Sequence, residues 1–183
     1  MMTKSEINMT EKRKGYIQVY TGDSKGKTTA ALGLALRAIG AGHKVFIAQF
    51  IKKGKTSEHK ALERFKDLLE IRQYGTGFIR TEKPMPADIE AAKTGLFEVE
   101  KIIKSGIYDM LILDEINVAI FKKLVSVEEV LKLIEIKPPH VELVLTGRYA
   151  DEKIIEKADL VTEMKEIKHY FNAGVGARLG IEH

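Results

Sequence analysis

The chain has 183 residues, a length for one domain with or without a tail and enough to bury a proper core. It contains no cysteine, which excludes disulfides and cysteine-ligated metals or clusters, and no apolar run approaches the length that spans a membrane. The net charge of +4 is modest, and its densest basic stretch (Lys52, Lys53, Lys55, Lys60) lacks interleaved aromatic residues, so it reads as a solvated loop and argues against nucleic-acid binding; an anionic small ligand accounts for the excess equally well.

In chain order, the opening MMTKSEINMTEKRKG is polar and has no signal-peptide core, so a cytoplasmic protein is expected and residues 1–14 read as a flexible segment. Tyr16 to Tyr20 is a β-branched and aromatic strand, followed by a loop with glycine and lysine and then a helical pattern. This is the context of a phosphate-binding loop. Gly22 and Gly26 let successive N–H groups turn inward on phosphate oxygens. Lys27 places a point charge on the outer phosphates, Thr28 offers a hydroxyl to a divalent ion, and the helix N-terminus faces the same anion. Thr21, Gly22, Asp23, Ser24, Lys25, Gly26, Lys27, Thr28 and Thr29 are the candidate ATP-binding residues. The loop departs from G-x-x-x-x-G-K-[ST]: the first glycine position holds Thr21, and the glycine comes one residue later.

The helix to Ile39 is closed by Gly40 and Gly42, and Lys44 to Phe50 is a second strand. A short helix around Glu58 to Phe65, a third strand over Leu69 to Tyr74 and a loop from Gly75 to Pro86 follow. Ala87 to Ser105 is a long amphipathic helix and Met110 to Leu113 a fourth strand. Ser126 and Glu129 form a capping box for a helix to about Ile136. Val141 to Leu145, a helix over Asp151 to Lys157, and Leu160 to Met164 complete the pattern, leaving an irregular tail from Lys168. Alternating strands and helices imply a mostly parallel α/β sheet with helices on both faces, P-loop NTPase-like (RecA-like), with residues 15–183 as a single nucleotide-binding domain. Ligands belong beyond the C-terminal strand ends.

Two strand ends complete the expected site. Asp114 and Glu115 follow the apolar run MLIL, where an acidic residue meets the metal directly or through water; either can be the ligand. Thr146-Gly147-Arg148 ends the next strand, and Arg148 can contact phosphates and, with Lys27, stabilise leaving-group charge. His169 reads as structural.

The stretches YTGDSKGKTTAALGLALRAIGAGHKV, AQFIKKG, YGTGF, YDMLILDEIN, LVLTGR and KHYFNAGVGARLGIEH together resemble the P-loop-type ATP:corrinoid adenosyltransferases. The resemblance covers most of the chain and includes the displaced glycine. It implies transfer of the 5′-deoxyadenosyl group of ATP to Co(I) of a reduced corrinoid, with triphosphate leaving whole and ATP reversed in the loop relative to P-loop hydrolases. No side chain then serves as nucleophile or general base. It further implies Mg²⁺ (or Mn²⁺) at Thr28 with Asp114 or Glu115, corrinoid contacts at Gly77, Phe78, Arg80 and Asn117, a homodimer, and a flavoprotein-type reductase supplying Co(I). The chain departs from the family on the corrinoid side. Ile79 and Arg80 stand where Thr and Trp are frequent, no tryptophan occurs anywhere, and Val118 replaces a tyrosine of some members. An altered corrinoid or slower loss of the lower axial ligand follows as an expectation. The alternatives are a P-loop ATPase or small-molecule kinase, and a nucleotide- or corrinoid-binding protein with little catalysis.

Overall fold

The structure is a computed structural model that describes residues 13–77 and 83–182. Strands β1 (Ile17–Thr21), β2 (Val45–Phe50), β3 (Leu69–Tyr74), β4 (Met110–Asp114), β5 (Glu142–Thr146) and β6 (Leu160–Glu163) form one six-stranded sheet in the order β3-β2-β4-β5-β1-β6. Every pairing is parallel. Its helices are α1 (Lys27–Gly40), α2 (Ser57–Leu62), α3 (Pro86–Ser105), α4 (Ile116–Phe121), α5 (Val127–Ile136) and α6 (Glu152–Lys157).

Alternation along the central strands divides the core in two. Val45, Ile47, Met110, Ile112 and Val144 face α1, whose Ala31, Ala35 and Ala38 let it lie close to the sheet. Phe46, Ala48, Phe50, Leu111, Leu113, Leu143 and Leu145 face the other way, against Leu96, Val99 and Ile103 of α3, Ile116 and Ala119 of α4, and Val130 and Leu133 of α5. Burial on both faces is why β2 and β4 are apolar along most of their length, broken within these strands at Gln49 and the terminal Asp114.

The long elements lie within a residue or two of their expected bounds. α1 begins at Lys27, and α5 carries the Ser126–Glu129 capping box, with the Ser126 hydroxyl accepting from Glu129 N. The sequence reading had no helix at Ile116–Phe121. It lies immediately past β4 and starts from Glu115, which takes a left-handed conformation (φ 62°). Among the described residues, no helix is long and apolar enough to cross a membrane.

Candidate active site

The β1–α1 loop explains its displaced glycine. The chain leaving β6 crosses the loop here: Ser24 N–H donates to the Met164 carbonyl (3.0 Å) and Met164 N–H to the Thr21 carbonyl (2.8 Å). A Cβ at position 22 would lie 2.5 Å from the Met164 oxygen, and Gly22 also has φ 96°. Only glycine meets both conditions. Gly26, at φ 120°, leads directly into α1.

Lys27 is buried, and its ammonium donates to the carbonyls of Gly22 and Ser24, each at 2.6 Å, inside the curl of the loop. Burial lowers its pKa, opposed by the charge of Glu115. Lys25 points elsewhere. Its ammonium donates to the Tyr170 hydroxyl (3.0 Å), the Ile181 carbonyl (3.2 Å) and Glu182 (2.9 Å), tying the tail to the loop. Asp23 and Thr29 are exposed, while Ser24 is half-buried.

Asp114, 1% exposed at the end of β4, is the centre of the site. Its Oδ1 accepts from the hydroxyls of Thr28 (2.8 Å) and Thr146 (2.7 Å). Its Oδ2 accepts from the Lys52 ammonium (2.7 Å) and, more distantly, from Gln49 Nε2 (3.3 Å). One buried carboxylate thus joins the first turn of α1 and the ends of β2, β4 and β5. A buried charge requires such pairing.

Glu115 has no side-chain hydrogen bond among the described residues; its N–H donates to Thr146 Oγ1 (3.0 Å). Burial raises its pKa, and the neighbouring Asp114 adds to this; Lys52, Lys27 and Arg148 oppose. Arg148 is exposed and makes no salt bridge among the described residues, but its charge reaches both Glu115 and Lys27.

On the expected corrinoid side, Gly77 (φ 122°) donates its N–H to the Ile51 carbonyl at 3.1 Å. Phe78 and Arg80 lie outside the described residues, as do Ile79 and residues 1–12 of the expected N-terminal segment. Asn117 is completely buried, and its amide donates to the Gly147 carbonyl at 3.4 Å. It supports the turn before Arg148, while its Oδ1, also buried, has no hydrogen-bond partner among the described residues. His169 accepts from Phe171 N (3.0 Å) and caps the tail's short 3₁₀ turn, in keeping with a structural role.

Sequence reasoning missed Lys52, Gln49 and Thr146. Lys52 read as part of a solvated basic loop. The structure corrects this: its side chain is only 24% exposed and is held by Asp114. The loop's lysines look alike in sequence, and only the turn at Ile51 separates this one from its neighbours.

A parallel sheet of this order, a glycine-lysine-threonine loop after β1 and a carboxylate one strand beyond β5 define a P-loop nucleotide-binding protein of the RecA-like class. A KaiC-like protein from Pyrococcus horikoshii OT3 shares the fold at a TM-score of 0.56 and 16% identity, over 85% of this chain and 75% of that one. The family model for the ATP:corrinoid adenosyltransferases BtuR/CobO/CobP matches residues 13–183. A corrinoid adenosyltransferase from Sinorhizobium sp is 38% identical over 92% of this chain and 80% of its own. The corrinoid adenosyltransferase CobA of Salmonella typhimurium is 33% identical over 98% and 91%. The chain belongs to the ATP:corrinoid adenosyltransferase family.

Proposed function

We propose that this chain transfers the 5′-deoxyadenosyl group of ATP to Co(I) of a corrinoid, and that the Asp114-centred site manages the charge of the departing triphosphate. The observation that carries this reading is the convergence of Lys27, Thr28 and Asp114 at one end of the sheet, in a chain of this family. The cobalt electron pair forms the Co–C5′ bond as the C5′–O bond breaks, and that bonding pair leaves with the triphosphate. Cobalt rises formally from Co(I) to Co(III). No proton has to move, so no general base is required.

Loop N–H groups, Lys27 and Arg148 then act as fixed donors and charges on the leaving group, worth most where water is excluded. Thr28 and Asp114 suit a divalent ion: a hydroxyl oxygen and a carboxylate oxygen lie 2.8 Å apart, and a cation, the Lys52 ammonium, already rests on that carboxylate. Among the described residues no cluster of three or more His, Asp or Glu could hold a metal. The ion therefore arrives with the triphosphate, in the manner of Mg²⁺ held by one or two carboxylates and substrate phosphates. Bound there, Mg²⁺ or Mn²⁺ neutralises charge on the departing oxygens. Glu115 is read as lining the site beside Lys27 and Arg148. Residues 15–183 are read as one domain, working in the cytoplasm as a homodimer with a separate reductase supplying Co(I).

The test is anaerobic incubation with ATP, Mg²⁺ and chemically reduced cob(I)alamin, followed by absorbance. Adenosylcobalamin should form, and Lys27→Ala should slow it by about 10²–10³-fold, the scale of losing one preorganised charge-stabilising group. ADP and phosphate without adenosylcobalamin would point instead to an ATPase or kinase.

A further inference from the structure

The chain after β2 makes an unusual turn. Ile51 is buried and β-branched, yet it has φ 69°. Lys52 N–H donates to the Phe50 carbonyl at 2.7 Å, closing a three-residue γ-turn of the strained, positive-φ kind. A β-branched residue there is a conformational outlier that persists only when its surroundings hold it. They do hold it. The Ile51 carbonyl accepts from Gly77 N at 3.1 Å, and the backbone of Gly75 packs so close that a Cβ would lie 2.2 Å from that same carbonyl.

The turn aims Lys52 inward. Its ammonium lies 2.7 Å from Asp114 Oδ2 and 3.3 Å from Thr28 Oγ1. A lysine ammonium is a compact point charge on a flexible stem. This one touches the Thr28 hydroxyl and, through Oδ2, the other side of the carboxylate assigned above to the divalent ion, so an ion bound at Thr28 and Oδ1 would meet a like charge across one carboxylate.

We propose that Lys52 is an exchangeable cation of the triphosphate site. In the ligand-free protein it neutralises Asp114 and keeps the hydroxyl–carboxylate pair assembled. When the divalent ion arrives with ATP, the ion takes Asp114 and Thr28, and the displaced ammonium turns to the triphosphate. Lys52 is thus a positioning residue before ATP binds and a contact to the leaving group afterwards. The exchange also keeps a free divalent ion from occupying the site without nucleotide, because metal alone would have to expel Lys52 with no phosphate to receive it. The inference rests on the reading that Thr28 and Asp114 hold the metal.

Mn²⁺ binding, followed by electron paramagnetic resonance of the free ion, tests it without turnover. The wild-type protein, Lys52→Met and Asp114→Asn are each titrated with Mn²⁺ alone and with Mn²⁺ plus ATP. Lys52→Met should bind Mn²⁺ alone at least about tenfold more tightly than wild type, since a like charge is removed from a partly buried site. It should bind Mn·ATP more weakly. Should Lys52→Met fail to fold, Lys52→Gln, which keeps an amide donor for Asp114, replaces it with the same expectation. Unchanged or weaker Mn²⁺ binding in the Lys52 variant, with binding lost in Asp114→Asn, would overturn the exchange and leave the metal site standing. Undiminished Mn·ATP binding in Asp114→Asn would overturn the metal reading and the exchange with it.

Discussion

Four non-glycine residues have positive φ among those described, and three of them adjoin a charged residue of the site. Ile51 precedes Lys52, Glu115 follows Asp114, and Tyr149 (φ 60°) follows Arg148. Each lies just beyond a strand end, where the chain must break from the sheet and still present a side chain to the ligand. Strain of this kind costs on the order of 1–3 kcal/mol per residue and is kept where packing over-determines it. Glu115 carries an electrostatic cost as well. Its pKa is raised above its ordinary value of 4.5, by burial first and by Asp114 second. A carboxyl with a raised folded pKa contributes its full stability below its unfolded value and loses it as pH rises through the folded value. Glu115→Gln removes that loss. The variant should therefore melt higher than wild type at neutral pH without ligand, with the gap closing as the pH falls toward 4.5, measured by thermal denaturation across that range. A variant that melts lower at neutral pH would mean that Lys52, Lys27 and Arg148 outweigh burial. The residues that belong to a motif, Lys27, Thr28, Asp114 and Arg148, were legible in the sequence because spacing and strand context mark them. Lys52 was not, because its role depends on a turn that no local composition announces.

At the scale of elements, the long periodic helices and the apolar strands were legible, since their patterns match the two faces of one sheet. α4 was not. Its six residues, INVAIF, are too few to show a helical period and are rich in β-branched side chains, and its start depends on the left-handed Glu115. The close packing of α3 on the sheet was also hidden. A Cβ at Gly95 would lie 2.4 Å from the ring of Tyr74, whose hydroxyl donates to Glu98 of the same helix at 2.7 Å. Glycine is therefore needed for α3 to reach the edge strand β3. Gly95→Ala should destabilise the protein by about 1–3 kcal/mol, through overpacking that outweighs alanine's better helix propensity. Urea denaturation checks this, and a stabilised variant would show that α3 and β3 can separate without cost.

At the scale of the whole molecule, the first loop and the tail are one unit. Met164 crosses Gly22, and Lys25 reaches Tyr170, Ile181 and Glu182 more than a hundred residues away. Hydrogen bonds from Tyr170, Lys25 and Arg178, in that order, hold the Glu182 carboxyl well below the usual carboxylate range. Its contribution is present above the ordinary carboxylate value and is lost as pH falls through the depressed one. At neutral pH, Glu182→Gln should loosen the tail and speed its cleavage in limited proteolysis while the sheet stays intact. Unchanged cleavage would mean that Tyr170 and the backbone contact to Ile181 suffice.

In the proposed reaction the loop holds a triphosphate that departs intact while C5′ joins cobalt. The most direct measurement uses ATP carrying ¹³C at C5′, incubated anaerobically with Mg²⁺ and cob(I)alamin and followed by ¹³C and ³¹P nuclear magnetic resonance. The label should move into a cobalt–carbon bond as an equal amount of inorganic triphosphate appears. A label that stays in the nucleotide, accompanied by ADP and phosphate, would contradict the account.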